Sequence, residues 1–456
     1  MQFLIPAVIV LSYLLLTRAP DLRLSRDLTF WTSLVVAALG FALWAEPRIT
    51  PRWSTRSVLL VAVLLRLCFL LRPPELSDDI YRYLWDAGST FAGKNPYALA
   101  PSAEVTGDLE RLALQQQVNH PELVTIYPPA AQVIFALARL APAGLTGFKL
   151  ALVLLDLCAC LVAARLLRAL GLPPWRLALY AWHPLAVIEI AGSGHIDGAG
   201  VLLLLLSFSA LVGPSSLRSG ALAGSAFAAS VLTKLVPLAW APFLLLVGGR
   251  RRVVPFLTAG LLTAVALIVP FLPEIRHGLG TLSTYTQTWE FAGLAFRTLR
   301  QLTGSGELAR RLLGGGFVVI WTWVTIRALR ERPVSTGPGN GQLGSALRAS
   351  YRIAIAFLLL SPTLHAWYAL YLAALLPFVA GPAGFVLSGS VFFGYTVLPR
   401  FAATGEWIET DSISIAVGVP VAVAFLVAAA LRCFTRRQIR PLRPRSGSAL
   451  RQRPDR

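Results

Sequence analysis

Long apolar runs dominate the sequence and restrict the folds that the chain can adopt. A membrane-crossing helix needs about 20 mostly apolar residues. With 56% hydrophobic and only 14% charged residues, the chain is far more apolar than a soluble domain, in which about 25% of residues are charged. The sequence therefore predicts an all-α polytopic membrane protein with roughly 12–15 transmembrane helices. The candidate spans are residues 2–17, 29–45, 57–72, 147–170, 175–191, 197–213, 217–232, 234–248, 252–272, 312–329, 348–363, 365–380, 383–399 and 412–431.

Arginine clusters orient these spans. The net charge of +19 is carried mainly by arginine, with clusters at 250–252 and 327–332 and in the tail after residue 432. Since cytoplasmic flanks are rich in basic residues, these segments and both termini are predicted to be cytoplasmic. The interval 73–127 then becomes a large first outer loop. The apolar stretch 128–143 is predicted to be re-entrant or surface-lying, because prolines bracket it.

Composition also suggests a division of the chain. The segment 334–345 is rich in Gly, Pro and Ser, which is typical of a flexible linker. We therefore expect a front transmembrane module at 1–330, a cytoplasmic linker at 331–347 and a back module of C-terminal transmembrane helices at 348–432. Residues 433–456 should form a basic, disordered cytoplasmic tail that contacts membrane lipids. Such tails are common on membrane proteins, so no nucleic-acid partner is expected.

The first outer loop contains two adjacent carboxylates, Asp78 and Asp79, directly after an apolar run. A helix N-cap would explain one carboxylate but not two. The pair is therefore a candidate for proton transfer, with a bound Mg²⁺ or Mn²⁺ as an alternative. No Cys/His ligand set points to any other metal site.

Distant polar residues are predicted to reach the same membrane face. His195 and Asp197 occupy a Gly-flanked outer turn, Lys234 follows another span, and His365 begins a further one. Lys234 could equally extend to the lipid headgroups. Asp156 could simply pair with Arg165 or with a neighbouring helix. Intramembrane ionisable groups are functional candidates by default, which also includes Glu189.

Three short motifs follow one another in and after the outer loop: Asp78-Asp79-Ile80-Tyr81, Gly93-Lys94-Asn95-Pro96-Tyr97 and Tyr127-Pro128-Pro129. This order resembles the GT-C membrane glycosyltransferases, most closely the polyprenol-phosphate-mannose-dependent family 87. The resemblance implies a GT-C type fold in a bacterial inner membrane. It also implies inverting transfer of a hexose, expected to be mannose, from a polyprenyl-phosphate donor to a lipid- or glycan-linked acceptor at the periplasmic or exterior face.

The family's acidic motif falls on Asp78 and Asp79, and either could be the catalytic base. One carboxylate must take the proton of the acceptor hydroxyl, while the leaving phosphate requires cationic partners. The residues predicted to bind substrate are Tyr81, Tyr127, His195, Asp197, Lys234, His365, Arg297 and Arg400. No cofactor is implied with certainty.

Two other functions are compatible with the composition. A transporter or flippase of a lipid-linked envelope precursor would place charges near the midplane and contain two related halves; Glu189 and Asp197 meet the first condition, but no internal repeat is evident. A structural partner in envelope assembly would depend on no single polar residue. The chain has no P-loop, GxGxxG, HExxH or GxSxG motif to suggest other chemistry.

Overall fold

The computed structural model describes residues 2–25, 27–48, 50–331, 340–379 and 381–438, and within these ranges the chain is helical with no β-strand. In this part of the chain, seven helices are long and apolar enough to cross a membrane, and four shorter apolar helices accompany them. The prediction of an all-α, multi-pass membrane protein is confirmed. The predicted number of 12–15 crossings stays a prediction, because several of the expected spans are divided into shorter helices.

The N-terminal part contains three apolar helices and the outer loop. Ser54 caps the third helix by accepting a hydrogen bond from the Ser57 amide, as N-terminal serines commonly do. The helix that follows the outer loop begins at Pro129, where a missing N–H costs nothing; with 11 residues it is too short to cross about 30 Å of hydrocarbon. The helices are α1 (Leu4–Leu16), α2 (Asp27–Ala45), α3 (Thr55–Leu70), α4 (Asp79–Phe91), α5 (Leu109–Gln115), α6 (Pro129–Arg139) and α7 (Gly144–Ala169).

The predicted span 175–191 is broken. It consists of a 3₁₀ turn, a short helix at 178–181 and a π-helix, Leu185–Gly192. π-Helical segments are rare and often lie at functional sites. The helices of this middle region are α8 (Ala178–Ala181), α9 (Asp197–Ala210), α10 (Leu217–Thr233), α11 (Ala241–Gly248) and α12 (Arg250–Ile268).

The C-terminal part begins with two helices of 14 and 10 residues. The remaining helices are α13 (Ile275–Thr288), α14 (Leu294–Thr303), α15 (Gly306–Arg330), α16 (Asn340–Leu360), α17 (Leu370–Leu375), α18 (Pro382–Ser390), α19 (Leu398–Thr404) and α20 (Asp411–Gln438).

The start of helix α16 overlaps the predicted linker at 331–347, so the second half of that prediction is wrong. Residues 332–339 lie outside the described residues, but 340–347 already form the start of α16. Leu343, Ala346 and Leu347 are buried in the core, and this burial favours helix over a flexible segment. Helix α20 likewise extends to Gln438, past the predicted start of the tail, and the tail from 439 onward lies outside the described residues.

The predicted front and back modules share one hydrophobic core. Its buried side chains run from Ile5 to Val421. Polar contacts also join the two parts, since the Trp240 indole donates 2.9 Å to the Ser350 carbonyl and His183 lies 3.0 Å from Ser388. Within this core Asp156 pairs at 2.6 Å with Arg66 of α3, a neighbouring helix, rather than with Arg165.

The outer loop is held against α13. The Asn95 side chain donates hydrogen bonds to the Phe271 carbonyl and to Glu274. Gly278 of α13 lies so close to Tyr97 that an added Cβ would approach the ring to 2.7 Å. The loop that carries Asp78 and Asp79 is therefore fixed over the helices that follow it.

Candidate active site

One large cavity lies beneath the outer loop. Its volume of about 1790 Å³ exceeds the roughly 300–1,000 Å³ of a pocket for one drug-sized ligand. The cavity combines a polar end near the start of α4 with an apolar wall formed by the segment 235–239, α15 and α16. The polar residues that line it include Asp78, Asp79, Tyr81, Asn119, Tyr127, Asp197, Lys234 and His365.

Two side chains orient the Asp79 carboxylate in the cavity. The Asn119 amide donates 2.9 Å to its Oδ1, and the Tyr127 hydroxyl donates 3.1 Å to its Oδ2. It is also the first residue of α4, where the helix dipole stabilises negative charge. Tyr127 was predicted from sequence as a site residue, and its contact with Asp79 places it there.

Asp78 precedes Asp79 and lies at the N-cap position of α4, but its side chain makes no capping hydrogen bond. It lines the cavity. The cavity walls limit its hydration, and this desolvation, together with the neighbouring Asp79 charge, raises the pKa of the Asp78 carboxyl. Both acids therefore face the same chamber, one held by side-chain donors and one without a cap.

His195 lies directly behind Asp79. Its Nδ1 is 3.8 Å from Asp79 Oδ2, and its Nε2 is 3.4 Å from Glu189 Oε2. The ring is fully buried and stacks on Trp367 with 4.2 Å between ring centroids. On the far side, the Tyr395 hydroxyl lies 2.8 and 2.9 Å from the two carboxylate oxygens of Glu189.

Gly194 makes this placement possible. Its φ of +78° lies in the left-handed region, and an added Cβ would come within 2.4 Å of Ile80 Cδ1. Only glycine adopts such a conformation without strain. The absence of a side chain therefore lets α4 pack onto the turn and brings Asp79 next to His195.

Lys234 supplies a cation inside the cavity. Its ammonium group pairs with Asp197 Oδ1 at 2.6 Å and lies 4.7 Å from the centroid of the Tyr368 ring. The lysine directly follows the last residue of α10, in extended backbone, and its side chain lines the chamber. The sequence left two roles open for Lys234, substrate binding and extension to the lipid headgroups. Its position in the cavity fits substrate binding.

His365 is held by ring stacking. It lies between Phe291, at 4.7 Å, and Trp367, at 4.5 Å between ring centroids. Because both faces are covered, only the ring edge with its nitrogen atoms can meet a bound molecule in the cavity.

Arg297 and Arg400 are placed elsewhere. Arg297 pairs with Asp411 at 2.9 Å, and Arg400 lies 3.7 Å from Glu406 on the exposed surface. Neither lines the cavity. Arg297 lies on α14 and Arg400 on α19, and both pair with acids of the segment 406–411 instead of reaching Asp79. Tyr81 does line the cavity.

The wall opposite the carboxylates is apolar and opens outward. Leu238 and Val318 each expose 58% of their surface, so this side of the cavity opens to the outer surface of the helices. The residues of this apolar groove are Leu235, Val236, Leu238, Ala239, Phe317, Val318, Trp321 and Phe357.

The carboxylate pair of Asp78 and Asp79 is also the predicted alternative site for a metal ion. Among the residues with described positions, no group of three or more His, Cys, Asp or Glu side chains could hold a metal ion. The donors around Asp79, an amide and a phenol, satisfy a carboxylate anion by themselves. A cation at Asp78 and Asp79 stays an untested alternative.

Sequence reasoning did not assign roles to Asn119 or Tyr395. Asn119 follows the short helix α5 in a loop whose fold no local pattern reveals. Tyr395 lies within an apolar run, where a tyrosine is usually a packing residue. The one available signal was Glu189, because a carboxylate inside a span needs a polar partner.

No protein-family model matches the chain, and no curated protein matches it. The functional assignment therefore depends on the residues of the cavity themselves and on the sequence motifs that accompany them.

Proposed function

We propose that the protein is an inverting glycosyltransferase that moves a hexose, with mannose the expected sugar, from a polyprenyl-phosphate donor to a lipid- or glycan-linked acceptor. One observation carries the proposal. A single cavity joins an oriented carboxylate, a lysine ammonium and an apolar groove open to lipid. A lipid-linked sugar phosphate needs these three features together.

Asp79 is the proposed base. During attack, the acceptor oxygen forms a bond to the anomeric carbon and its proton passes to Asp79. The bond from that carbon to the phosphate oxygen breaks, and its electron pair stays on the phosphate. Because Asn119 and Tyr127 fix Asp79 in one orientation, it satisfies the geometric requirement for a base better than Asp78. Asp78 supports the site with a second negative charge near the oxocarbenium-like sugar.

Lys234 and His365 are the proposed phosphate partners. Charge-assisted hydrogen bonds to phosphate are stronger than neutral ones, and Lys234 lines the same cavity as the apolar groove. The polyprenyl chain would lie along Leu235, Leu238 and Val318, which keeps its hydrocarbon out of water.

The orientation of α12 supports an outer site. Its C-terminal end is adjacent to Phe271, which contacts the outer loop through Asn95. Its N-terminal end carries the exposed Arg250 and Arg251. Nineteen helical residues rise about 28 Å, close to the bilayer core. By the positive-inside rule, the arginines would be cytoplasmic and the cavity would face the exterior.

The test is transfer in proteoliposomes that contain the purified protein, radiolabelled polyprenyl-phosphate mannose and a membrane glycolipid extract as acceptor. We expect label to move to a new lipid or glycan product with wild-type protein and not with Asp79→Asn. Lys94→Gln is the matched control, because Lys94 forms an exposed pair with Glu104 and does not line the cavity. Movement of the intact donor across the bilayer without any transfer product would support a flippase instead.

A further inference from the structure

Four side chains form a polar row beside the cavity. Asp79 and Tyr395 line the cavity at the two ends of the row, and His195 and Glu189 join them behind the cavity wall. They come from α4, the turn before α9, the π-helix and the segment 391–397. His195 and Glu189 are fully buried, and the sequence motifs give neither Glu189 nor Tyr395 a role.

The row has an unusual shortage of hydrogen bonds. Among the described residues, neither nitrogen of His195 has a hydrogen-bond partner. Buried polar atoms are almost always paired, and an unpaired one is costly. The His195 nitrogens lie 3.8 Å from the Asp79 oxygen and 3.4 Å from the Glu189 oxygen, so shifts of less than about 1 Å would bring both pairs to hydrogen-bond distance. Catalytic hydrogen bonds are often long before substrate binds.

Counting donors and acceptors gives one neutral arrangement below Asp79. Nδ1–H of His195 donates to the Asp79 carboxylate. Nε2 then needs a donor, which the Glu189 carboxylic acid provides, and Tyr395 O–H donates to the other Glu189 oxygen. Every atom is satisfied and the only charge in the row lies at Asp79, next to the cavity. An isolated carboxylate at Glu189 would instead be unfavourable in an apolar core.

We propose that Glu189 and Tyr395 are positioning residues that fix His195 in its Nδ1–H tautomer, so that His195 holds Asp79 in the orientation needed to accept a proton. The catalytic role of this tautomer rests on the proposed function. The presence of the tautomer does not depend on that function. Trp367 supports the arrangement by stacking on the imidazole and preventing its rotation. The other ionisable groups near His195 are Asp197, Lys234 and His365.

The experiment is ¹⁵N NMR of histidine-labelled protein in lipid nanodiscs, with the five histidines assigned by single substitution. Wild-type protein should show His195 as the neutral Nδ1–H tautomer. His183 is an internal reference of the opposite form, since its Nδ1 accepts from the Leu185 amide and its Nε2 faces Ser388. Finding His195 as the Nε2–H tautomer or as the imidazolium would overturn the proposal.

Variants of Glu189 separate positioning from packing. The amide of Glu189→Gln can still donate to Nε2 and accept from Tyr395, so the Nδ1–H signal should persist, as should most of the transfer rate. Glu189→Leu should give mixed tautomers and a transfer kcat reduced at least tenfold, with the donor KM little changed. A Gln variant as impaired as the Leu variant would contradict the neutral arrangement. Because the NMR measurement requires no substrate, it can succeed even when no transfer activity is found.

Discussion

The Tyr127 hydroxyl donates a hydrogen bond of 3.1 Å to Asp79 Oδ2. This contact joins the two ends of the outer loop, because Asp79 begins α4 and Tyr127 lies just before α6. It holds the proposed base over the cavity and leaves the second carboxylate, Asp78, without such support. The two adjacent acids should therefore differ in their effects on catalysis.

Asp79→Asn should reduce transfer by about 10²–10⁴-fold, the usual contribution of a general base. Asp78→Asn should reduce it less, since Asp78 supports the site only by its charge. The measurement is initial rate in proteoliposomes at saturating donor, with thermal unfolding to show that both variants fold. A larger loss from Asp78→Asn than from Asp79→Asn would reverse our assignment of the base.

Lys234→Gln should weaken donor binding. A hydrogen bond to a charged group contributes about 1.5–3 kcal/mol, so the donor KM should rise about 10–100-fold. The substitution also leaves Asp197 buried without its cation, which should lower the unfolding temperature. The double variant Lys234→Gln/Asp197→Asn should recover stability but not donor affinity. If the double variant binds donor normally, Lys234 does not hold the phosphate.

Gly194→Ala should destabilise the protein through two effects. A left-handed non-glycine residue costs about 1–3 kcal/mol, and the new methyl group would meet Ile80 Cδ1 at 2.4 Å. Gly171→Ala is the matched control, since Gly171 has a φ of +67° but no atom within 4 Å of an added Cβ. Adding Ile80→Val removes Cδ1 and should partly restore stability. Equal losses from Gly194→Ala and Gly171→Ala would exclude the contact with α4.

Asp86 should make stability depend on pH. It is buried in α4 and accepts a hydrogen bond of 3.0 Å from Gln132, and burial raises the pKa of its carboxyl to about 6. The folded state therefore binds this proton more tightly than the unfolded chain, whose Asp pKa is about 3.9. The contribution to stability is fully present below about pH 4 and is lost as pH rises through about 6, a change of roughly 3 kcal/mol.

Asp86→Asn should remove that part of the pH dependence, because the amide does not titrate in this range. Unfolding temperatures of wild-type and variant protein, measured from pH 4 to pH 7.5, should converge at the acidic end and separate at the neutral end, where the variant is the more stable. Parallel curves for the two proteins would show that Asp86 is not the group responsible.

Particular residues show how far sequence reasoning reaches. Asp78, Asp79 and Tyr127 were found from a short local motif, and they line one cavity. Lys234 and His365 were found from their positions at the ends of spans. Arg297 and Arg400 were chosen as further cations that could hold the phosphate, but they pair with Asp411 and Glu406 instead. A topology assigns a residue to a membrane face, but it does not give the distance between two residues on that face.

The division into helices shows a similar limit. The run 175–191 has the composition of a spanning helix, but the structure folds it into short pieces and a π-helix around Glu189. Glu189 needs Tyr395 as a partner, and no periodicity within the run contains that information. The start of α16 was mistaken for a linker because its glycine content concealed Leu343 and Leu347, which pack into the core.

The sequence by itself determined the class of the protein, since apolar runs of this length must form helices that satisfy their own backbone hydrogen bonds in lipid. It also determined where the acidic loop lies relative to those runs. Only the tertiary structure decided that Asp79 meets His195 and that Glu189 meets Tyr395. These pairs join segments far apart in the chain, and their contacts depend on side-chain packing between helices, such as the close approach of Ile80 to Gly194, which no local pattern encodes.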